Sequence, residues 1–258
     1  MRPGLFLSLL MAFSFPSVAA EPVPEVTLYY YQRMPFFGDS GGKPAGLLID
    51  IAKLVFDEAG TSYQFVNVPV VRFFESLRKP GNSCVIGALR TKEREAIYTY
   101  SDDFIYRDQP FRIIVSKAKR KTLPERPTIK QVLESGLRLG VTEGYVYGDW
   151  LDRKISEHQP IVQKINIGNE TEKMHKMLIA GRFDYMFAVA EEARHVVAKD
   201  QEHRSRLTTV EIADAPRGNM RYLLCSKGID SAIMQKINAA IKTVKSTRDY
   251  ERLTNPPN

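Results

Sequence analysis

Short apolar runs alternate with segments of helical periodicity along most of the chain. In the first half, strands are predicted at residues 26–31, 63–68 and 84–89. Apolar side chains recur at helical spacing over residues 47–56, and Gly60 ends that helix. A further helix is predicted at residues 71–78, before a Pro-Gly pair. This alternation favours an α/β fold with largely parallel sheets.

The same alternation of strand and helix patterns is repeated after a polar stretch at residues 117–126. Strands are predicted at residues 111–116, 138–142, 161–165, 183–189, 207–212 and 221–225. Helices are predicted at residues 128–134, 145–155, 170–180 and 231–245, with a final helical turn through Tyr250. Two units of similar size predict two lobes, each with a mostly parallel sheet flanked by helices.

The chain is expected to cross twice between these lobes. We assign residues 25–110 and 219–258 to lobe 1 and residues 111–218 to lobe 2, because strands begin at both changeover points. A double crossing makes a hinge, and ligands are buried in the cleft between such lobes.

The first twenty residues have the pattern of an export signal. Arg2 is followed by an apolar run at residues 5–15, too short to span a bilayer, and then by small residues that predict cleavage near Ala20. We expect an exported protein, most simply periplasmic. An uncleaved N-terminal anchor is the alternative.

Charge and composition narrow the class of partner. The formal charge is +7, or +6 without Arg2, which in a general way favours acidic solutes. The basic run at residues 117–121 lacks interleaved aromatics, so a solvated connector is favoured over a nucleic-acid site. The four histidines show no metal-ligand spacing and are predicted to lie at the surface, so neither a metal nor another cofactor is expected.

Two cysteines, Cys84 and Cys225, lie in apolar segments of strand character, 141 positions apart. An oxidising compartment permits a disulfide, and two separately buried thiols are an equal alternative. Because both segments fall in lobe 1, we expect the two cysteines to be adjacent in one sheet.

The most informative segment follows the strand at residues 84–89. Thr91 can cap a helix, and Arg94 lies in the first turn after it, where free backbone N–H groups also point. An arginine fork at a helix start favours binding of a carboxylate. A surface arginine in a charged turn is the alternative. Ligand sites form beyond the C-terminal ends of strands in such sheets, which agrees with the first interpretation.

Five short motifs follow one another along the chain. They are Pro35-Phe36-Phe37 with Gly46-Leu47-Leu48-Ile49-Asp50, Thr91-Lys92-Glu93-Arg94 with Tyr100-Ser101-Asp102, Gly140-Val141-Thr142-Glu143-Gly144, Gly181-Arg182-Phe183-Asp184 and Lys227-Gly228. In this order and spacing the chain resembles the amino-acid-type periplasmic solute-binding proteins, extracellular solute-binding family three, over nearly all of the mature sequence. The resemblance implies a type II periplasmic binding fold that closes on a small solute.

By the same resemblance, Arg94 holds the ligand carboxylate and the solute passes to an ABC-type permease. The chain departs from the family pattern at three positions. Leu89 and Tyr145 stand where a Ser or Thr is usual, and Val189 stands where an Asp usually holds the ligand ammonium. Glu191 or Glu192 replaces that Asp if the register slips. The prediction is therefore a small polar solute, an amino acid or a relative, that bears a carboxylate.

Further candidates for the site come from the ends of predicted elements. Tyr31, at the mouth of the first strand, is expected to stack on a ligand or, as an equal alternative, to pack within the sheet. Phe36 or Phe37 is expected to wall the cleft. Arg72 is a possible second cationic contact or an exposed residue, and Glu143 faces the cleft or satisfies local backbone groups. The predicted ligand-binding set is Arg94, Thr91, Leu89, Tyr31, Phe36, Arg72, Glu143, Tyr145 and Glu191.

Three functions fit this reading. The first is a monomeric solute receptor for a transporter, with one ligand and no turnover. The second is a sensory protein that presents its closed form to a membrane receptor. The third is an enzyme on the same scaffold, which is disfavoured because the sequence has no G-x-S-x-G, H-E-x-x-H or P-loop motif.

Overall fold

The computed structural model describes residues 25–69, 72–166 and 172–255. The strands are β1 (Val26–Tyr30), β2 (Gly38–Ser40), β3 (Lys43–Ala45), β4 (Tyr63–Asn67), β5 (Ser83–Ala88), β6 (Thr99–Tyr100), β7 (Tyr106–Arg107), β8 (Phe111–Ser116), β9 (Leu139–Thr142), β10 (Val162–Ile165), β11 (Tyr185–Val189), β12 (Leu207–Glu211) and β13 (Met220–Cys225). The helices are α1 (Leu47–Glu58), α2 (Lys92–Ile97), α3 (Ile129–Leu133), α4 (Asp149–His158), α5 (Glu172–Ile179), α6 (Ala190–Ala198), α7 (Gln201–Arg206), α8 (Ser231–Val244) and α9 (Arg248–Thr254). The predicted signal peptide, residues 1–20, lies outside the described residues. None of the helices described is long and apolar enough to cross a membrane.

The first sheet has the strand order β4-β1-β5-β13-β6, and β7 also pairs with β13. Strands β4, β1 and β5 are parallel, whereas β13 runs antiparallel to β5, β6 and β7. The sheet is therefore mixed. When the chain returns from the second sheet, it enters the first sheet as β13, which runs in the opposite direction to β5. Helices α8 and α9 then pack on α1, so the C-terminal helices rejoin this lobe.

The second sheet has the order β10-β9-β11-β8-β12. Strand β9 is parallel to both β10 and β11, and β8 is antiparallel to β11 and β12. The chain passes from the first sheet to the second between β7 and β8 and returns between β12 and β13. The predicted α/β fold with two lobes and two crossings is confirmed. The sheets are mixed and not mostly parallel as predicted, because β13 in the first and β8 in the second run against their neighbours. The bodies built on the first and second sheets are called the first and second lobes below.

Two predicted helices differ from those observed. The helix predicted at residues 145–155 begins at Asp149, because Gly148 has φ 107° and the three residues before it are not helical. A side chain at Gly148 would also meet the Asn219 side chain at 2.8 Å. The helix predicted at residues 71–78 is a short 3₁₀ turn, Glu75–Arg78, among the residues described there.

The cysteines form a disulfide within the first sheet. Cys84 of β5 lies directly opposite Cys225 of β13, with the two Cα atoms 3.9 Å apart. Their predicted adjacency is confirmed, and the bridge is the alternative that the structure adopts. It joins the strand that leads to Arg94 with the strand by which the chain returns from the second lobe.

Candidate functional site

A cavity of about 900 Å³ lies between the two lobes. Its walls come from the segments that follow β1 and β5 in the first lobe and β9 and β11 in the second. In each lobe these are parallel strands, so their C-terminal ends meet on the same side and place their following loops together. A space of this size, with aromatic walls and a few charged groups, has the usual character of a small-molecule site.

Arg94 faces this cavity from the first turn of α2. Thr91 caps the helix by accepting a hydrogen bond from the Arg94 backbone N–H at 3.3 Å. The Arg94 Nη1 donates to the Leu89 carbonyl oxygen at 3.1 Å, and its Cζ lies 4.0 Å from the centre of the Phe74 ring. A carbonyl and an aromatic face therefore fix the guanidinium plane without neutralising it.

An ion pair joins the lobes inside the cavity. Arg33, in the loop after β1, donates from Nε and Nη2 to the two carboxylate oxygens of Glu192 in α6, at 3.2 and 2.9 Å. The side chains of Arg33 and Glu192 are only 10% and 16% exposed. The Arg33 Cζ also lies 5.3 Å from the Phe36 ring centre and 5.5 Å from that of Tyr145. Burial works against both charges, yet the pairing lowers the pKa of Glu192 and raises that of Arg33.

The second-lobe end of the cavity holds His175, near the ion pair of Lys199 and Glu172. Burial lowers the pKa of His175 from 6.5 to about 4, and its Nδ1 has no hydrogen-bond partner among the residues described. Its ring packs edge-on against His203, which is 5% exposed. The prediction that all histidines lie at the surface is therefore wrong, since α5 and α7 bring these two rings together beneath the cavity. The described residues contain no group of three or more His, Cys, Asp or Glu arranged to hold a metal ion.

A second buried ion pair lies where the chain crosses between the lobes. Arg221 of β13 donates from Nη2 to Asp108 at 2.6 Å, and its Nε lies 2.8 and 3.0 Å from the two carboxylate oxygens. The Asp108 side chain is fully buried and that of Arg221 is 8% exposed. Arg221 reaches the cavity wall, but its charge is already matched.

Five of the nine predicted site residues line the cavity: Arg94, Leu89, Tyr31, Glu143 and Tyr145. Thr91 lies behind Arg94 as its helix cap. Three lie elsewhere. Phe36 is 2% exposed in the core of the first lobe, and the following Phe37 takes the cavity position. Arg72 is exposed outside the cavity.

Glu191 is also directed away from the cavity. It accepts hydrogen bonds from the Tyr106 hydroxyl and, at 2.8 Å, from the Gln109 backbone N–H, and burial raises its pKa. Successive residues of a helix are turned by about 100°, so Glu192 faces the cavity instead. Sequence reasoning missed Arg33, Arg221 and His175, because nothing in their local patterns distinguishes them from loop, strand or surface residues.

The comparisons with known proteins agree with this architecture. The family model for bacterial extracellular solute-binding proteins, family 3, matches residues 27–256. No curated protein sequence gives a significant match.

Solved structures show the same fold at low sequence identity. A Salmonella typhimurium periplasmic binding protein described for high arginine specificity is 19% identical with a TM-score of 0.66, over 88% of this chain and 96% of its own. The arginine-, lysine-, histidine-binding protein ArtJ from Geobacillus stearothermophilus is 18% identical with a TM-score of 0.68, over 90% and 93%. A chain solved in work on glutathione import by Streptococcus mutans is 16% identical with a TM-score of 0.69, over 88% and 91%. Since the family model covers nearly the whole described sequence, the chain belongs to the bacterial extracellular solute-binding proteins, family 3.

Proposed function

We propose that this protein binds a small carboxylate-bearing solute between a lobe of residues 25–110 and 219–258 and a lobe of residues 111–218, for delivery to an ABC-type permease. The observation that carries the proposal is the state of Arg94. Among the described cavity-lining residues, it is the one cation that forms no ion pair with a protein carboxylate.

Its geometry suits a carboxylate. The Arg94 guanidinium donates from Nη1 to the Leu89 carbonyl and also contacts the Tyr100 hydroxyl. Both partners are neutral, so the charge of Arg94 and part of its five N–H groups are available to a ligand. Charge-assisted hydrogen bonds of this kind contribute about 1.5–3 kcal/mol each. A ligand held by Arg94 in one lobe and by residues of the other favours the closed arrangement, because that arrangement supplies more contacts.

Transport is the favoured use of such binding. Some of the solved structures that share the fold are described as substrate-binding proteins of amino acid ABC transporters, which supports the same role here. We infer an exported, periplasmic monomer that acts on a small molecule and not on nucleic acid. We expect binding without turnover, because the family and the solved structures that share its fold are solute-binding proteins.

The test compares Arg94→Ala and Arg94→Lys with the wild type in calorimetric titrations against a panel of amino acids and simple carboxylates. Loss of the guanidinium fork should weaken binding of any carboxylate by about tenfold or more in the alanine variant. Arg72→Ala, which removes an exposed arginine of the same lobe, serves as the matched control and should keep wild-type affinity. Undiminished affinity in Arg94→Ala would exclude this residue from the site.

A further inference from the structure

We propose that Arg33 determines specificity: its guanidinium occupies the cationic position opposite Glu192, so the cavity selects a carboxylate with an apolar body and no α-ammonium group. This inference rests on the proposed function, since it takes Arg94 as the group that binds the carboxylate. It adds the class of solute that the cavity accepts and names the residue that sets it.

Arg33 is held in place by its own loop. Its backbone N–H donates to the Phe37 carbonyl at 2.7 Å, and its carbonyl accepts from the Phe36 and Phe37 N–H groups at 3.0 and 3.2 Å. The guanidinium then lies against the rings of Phe36 and Tyr145 and meets both oxygens of Glu192. The chain thus supplies a preformed cation at the place where a ligand ammonium would meet this carboxylate.

The other carboxylates of the described cavity wall offer no buried alternative. Glu172 is paired with Lys199. Asp39 accepts hydrogen bonds from three side chains, those of Tyr30, Gln32 and Asn67. Glu143 is exposed, so solvent screens its charge. The described wall therefore presents one unpaired cation, Arg94, and no buried carboxylate that lacks an internal partner.

A ligand ammonium would have to displace Arg33 to reach Glu192. Displacement would leave a buried guanidinium without a carboxylate, which is strongly unfavourable. It would also exchange two parallel N–H···O bonds for contact with a single ammonium group. Competition between the two cations therefore favours Arg33 and disfavours solutes that carry an α-ammonium.

The apolar lining residues indicate what the solute carries besides its carboxylate. Aromatic and aliphatic residues of the described lining include Tyr31, Phe37, Phe73, Phe74 and Val189. The Phe73 ring contacts those of Tyr31, Phe37 and Phe74, and Arg94 lies over the Phe74 ring. Such a surface gains by covering an apolar chain or ring. An aliphatic or aromatic monocarboxylate satisfies Arg94 and this lining together, and it leaves the interlobe ion pair undisturbed.

The experiment uses pairs of compounds that differ only in the ammonium group: 3-phenylpropionate with phenylalanine, and 4-methylpentanoate with leucine. Calorimetry on the wild type should show the compound without nitrogen binding about tenfold more tightly or better. Arg33→Ala frees Glu192 and should shift the ratio of affinities about tenfold or more toward the amino acid. Arg33→Met keeps apolar contact with Phe36 and Tyr145 and should shift it in the same direction, while Arg72→Ala should leave it unchanged.

A second measurement needs no solute. Methylguanidinium, added to Arg33→Ala, should raise its melting temperature saturably and more than that of the wild type or of the double variant Arg33→Ala/Glu192→Gln, because it can take the vacated place. Three results would overturn the proposal: tighter binding of the amino acids by the wild type, an unchanged ratio in both Arg33 variants, or no selective response to methylguanidinium. The proposed function fails separately, when no carboxylate binds or when Arg94→Ala binds as well as the wild type.

Discussion

Two strand-to-helix turns face each other across the cavity, and they handle charge in opposite ways. The turn from β5 to α2 presents Arg94, whose charge stays available. The turn from β11 to α6 presents Glu192, whose charge is used by Arg33 of the other lobe. Equivalent positions at the ends of central strands can therefore serve ligand binding in one case and contact between lobes in the other.

The two turns also differ in local support. Thr91 caps α2 with its side chain, whereas Val189 at the start of α6 provides no side-chain cap. In α6, Glu191 precedes Glu192 and accepts hydrogen bonds from Tyr106 and Gln109 of the segment that crosses between the lobes. The Thr91 cap and the Arg94–Leu89 hydrogen bond of the first turn join residues within five positions of one another, whereas the Glu191 contacts at the second turn span more than eighty.

Removing the ion pair between Arg33 and Glu192 should have the largest effect on stability. Glu192→Gln leaves Arg33 buried without a charged partner, and we expect the free energy of unfolding to fall by about 3 kcal/mol or more. Urea denaturation measures this change. The matched control is Glu172→Gln in the same wall, where the exposed pair with Lys199 should contribute about 1 kcal/mol or less. Equal losses in the two variants would contradict a special role for the interlobe pair.

The second-lobe end of the cavity should give the stability a pH dependence through His175. His175 has a pKa of about 4 when folded and an ordinary value of 6.5 when unfolded, so the unfolded chain takes up the proton first as the pH falls. The free energy of unfolding should therefore decrease between pH 6.5 and pH 4, by up to about 3 kcal/mol from this residue. The buried ring and its neighbours Lys199 and His203 oppose protonation, while Glu192 and Glu172 favour it.

Comparing His175→Asn with the wild type isolates this contribution. Stability curves from thermal or urea denaturation should be steeper for the wild type below pH 6.5 and parallel above it. The difference at pH 7.5, where the histidine is neutral in both states, reports the packing change alone. Identical slopes between pH 6.5 and pH 4 would show that the pKa of His175 is the same in the folded and unfolded states.

Loosening the first turn should have the smallest effect on stability and a selective effect on binding. Thr91→Ala removes the cap of α2 and should lower the free energy of unfolding by about 1 kcal/mol. Thr247→Ala removes a similar cap from α9, outside the cavity, at a similar cost. Calorimetry should show weaker carboxylate binding only in Thr91→Ala, because only that cap positions Arg94. Equal affinities in both variants would mean that the guanidinium is held without the cap.

Local patterns in the sequence predict much of the fold. The alternation of apolar runs locates four strands of the first sheet and all five of the second, since burial on one or two faces sets their periodicity. It misses β6 and β7, which are only two residues long. Thr91 and Arg94 are likewise found because the cap, the helix and the functional group lie within a single turn. The placement of Cys84 opposite Cys225 follows once both are assigned to strands of one lobe.

The rest of the site depends on contacts that no local pattern encodes. Arg33 and Glu192 are 159 positions apart, and each has the local sequence of an ordinary loop or helix residue. Which of Glu191 and Glu192 faces the cavity depends on the first residue of α6, and an error of one residue reverses the answer. The partial burial of His175 and the burial of His203 arise from packing of α5 and α7, whose own sequences contain many charged residues.

The buried contact between Arg221 and Asp108 fastens the two crossing segments to each other. Two independently flexible connections would let the lobes twist, slide and bend in several directions. Fastening the two crossings together keeps them at a fixed separation, and we expect the lobes to rotate about the line through these two hinge points, so that few backbone angles change when they separate. We therefore expect closing to cost little conformational entropy, so that a modest number of solute contacts would be enough to bring the two halves together.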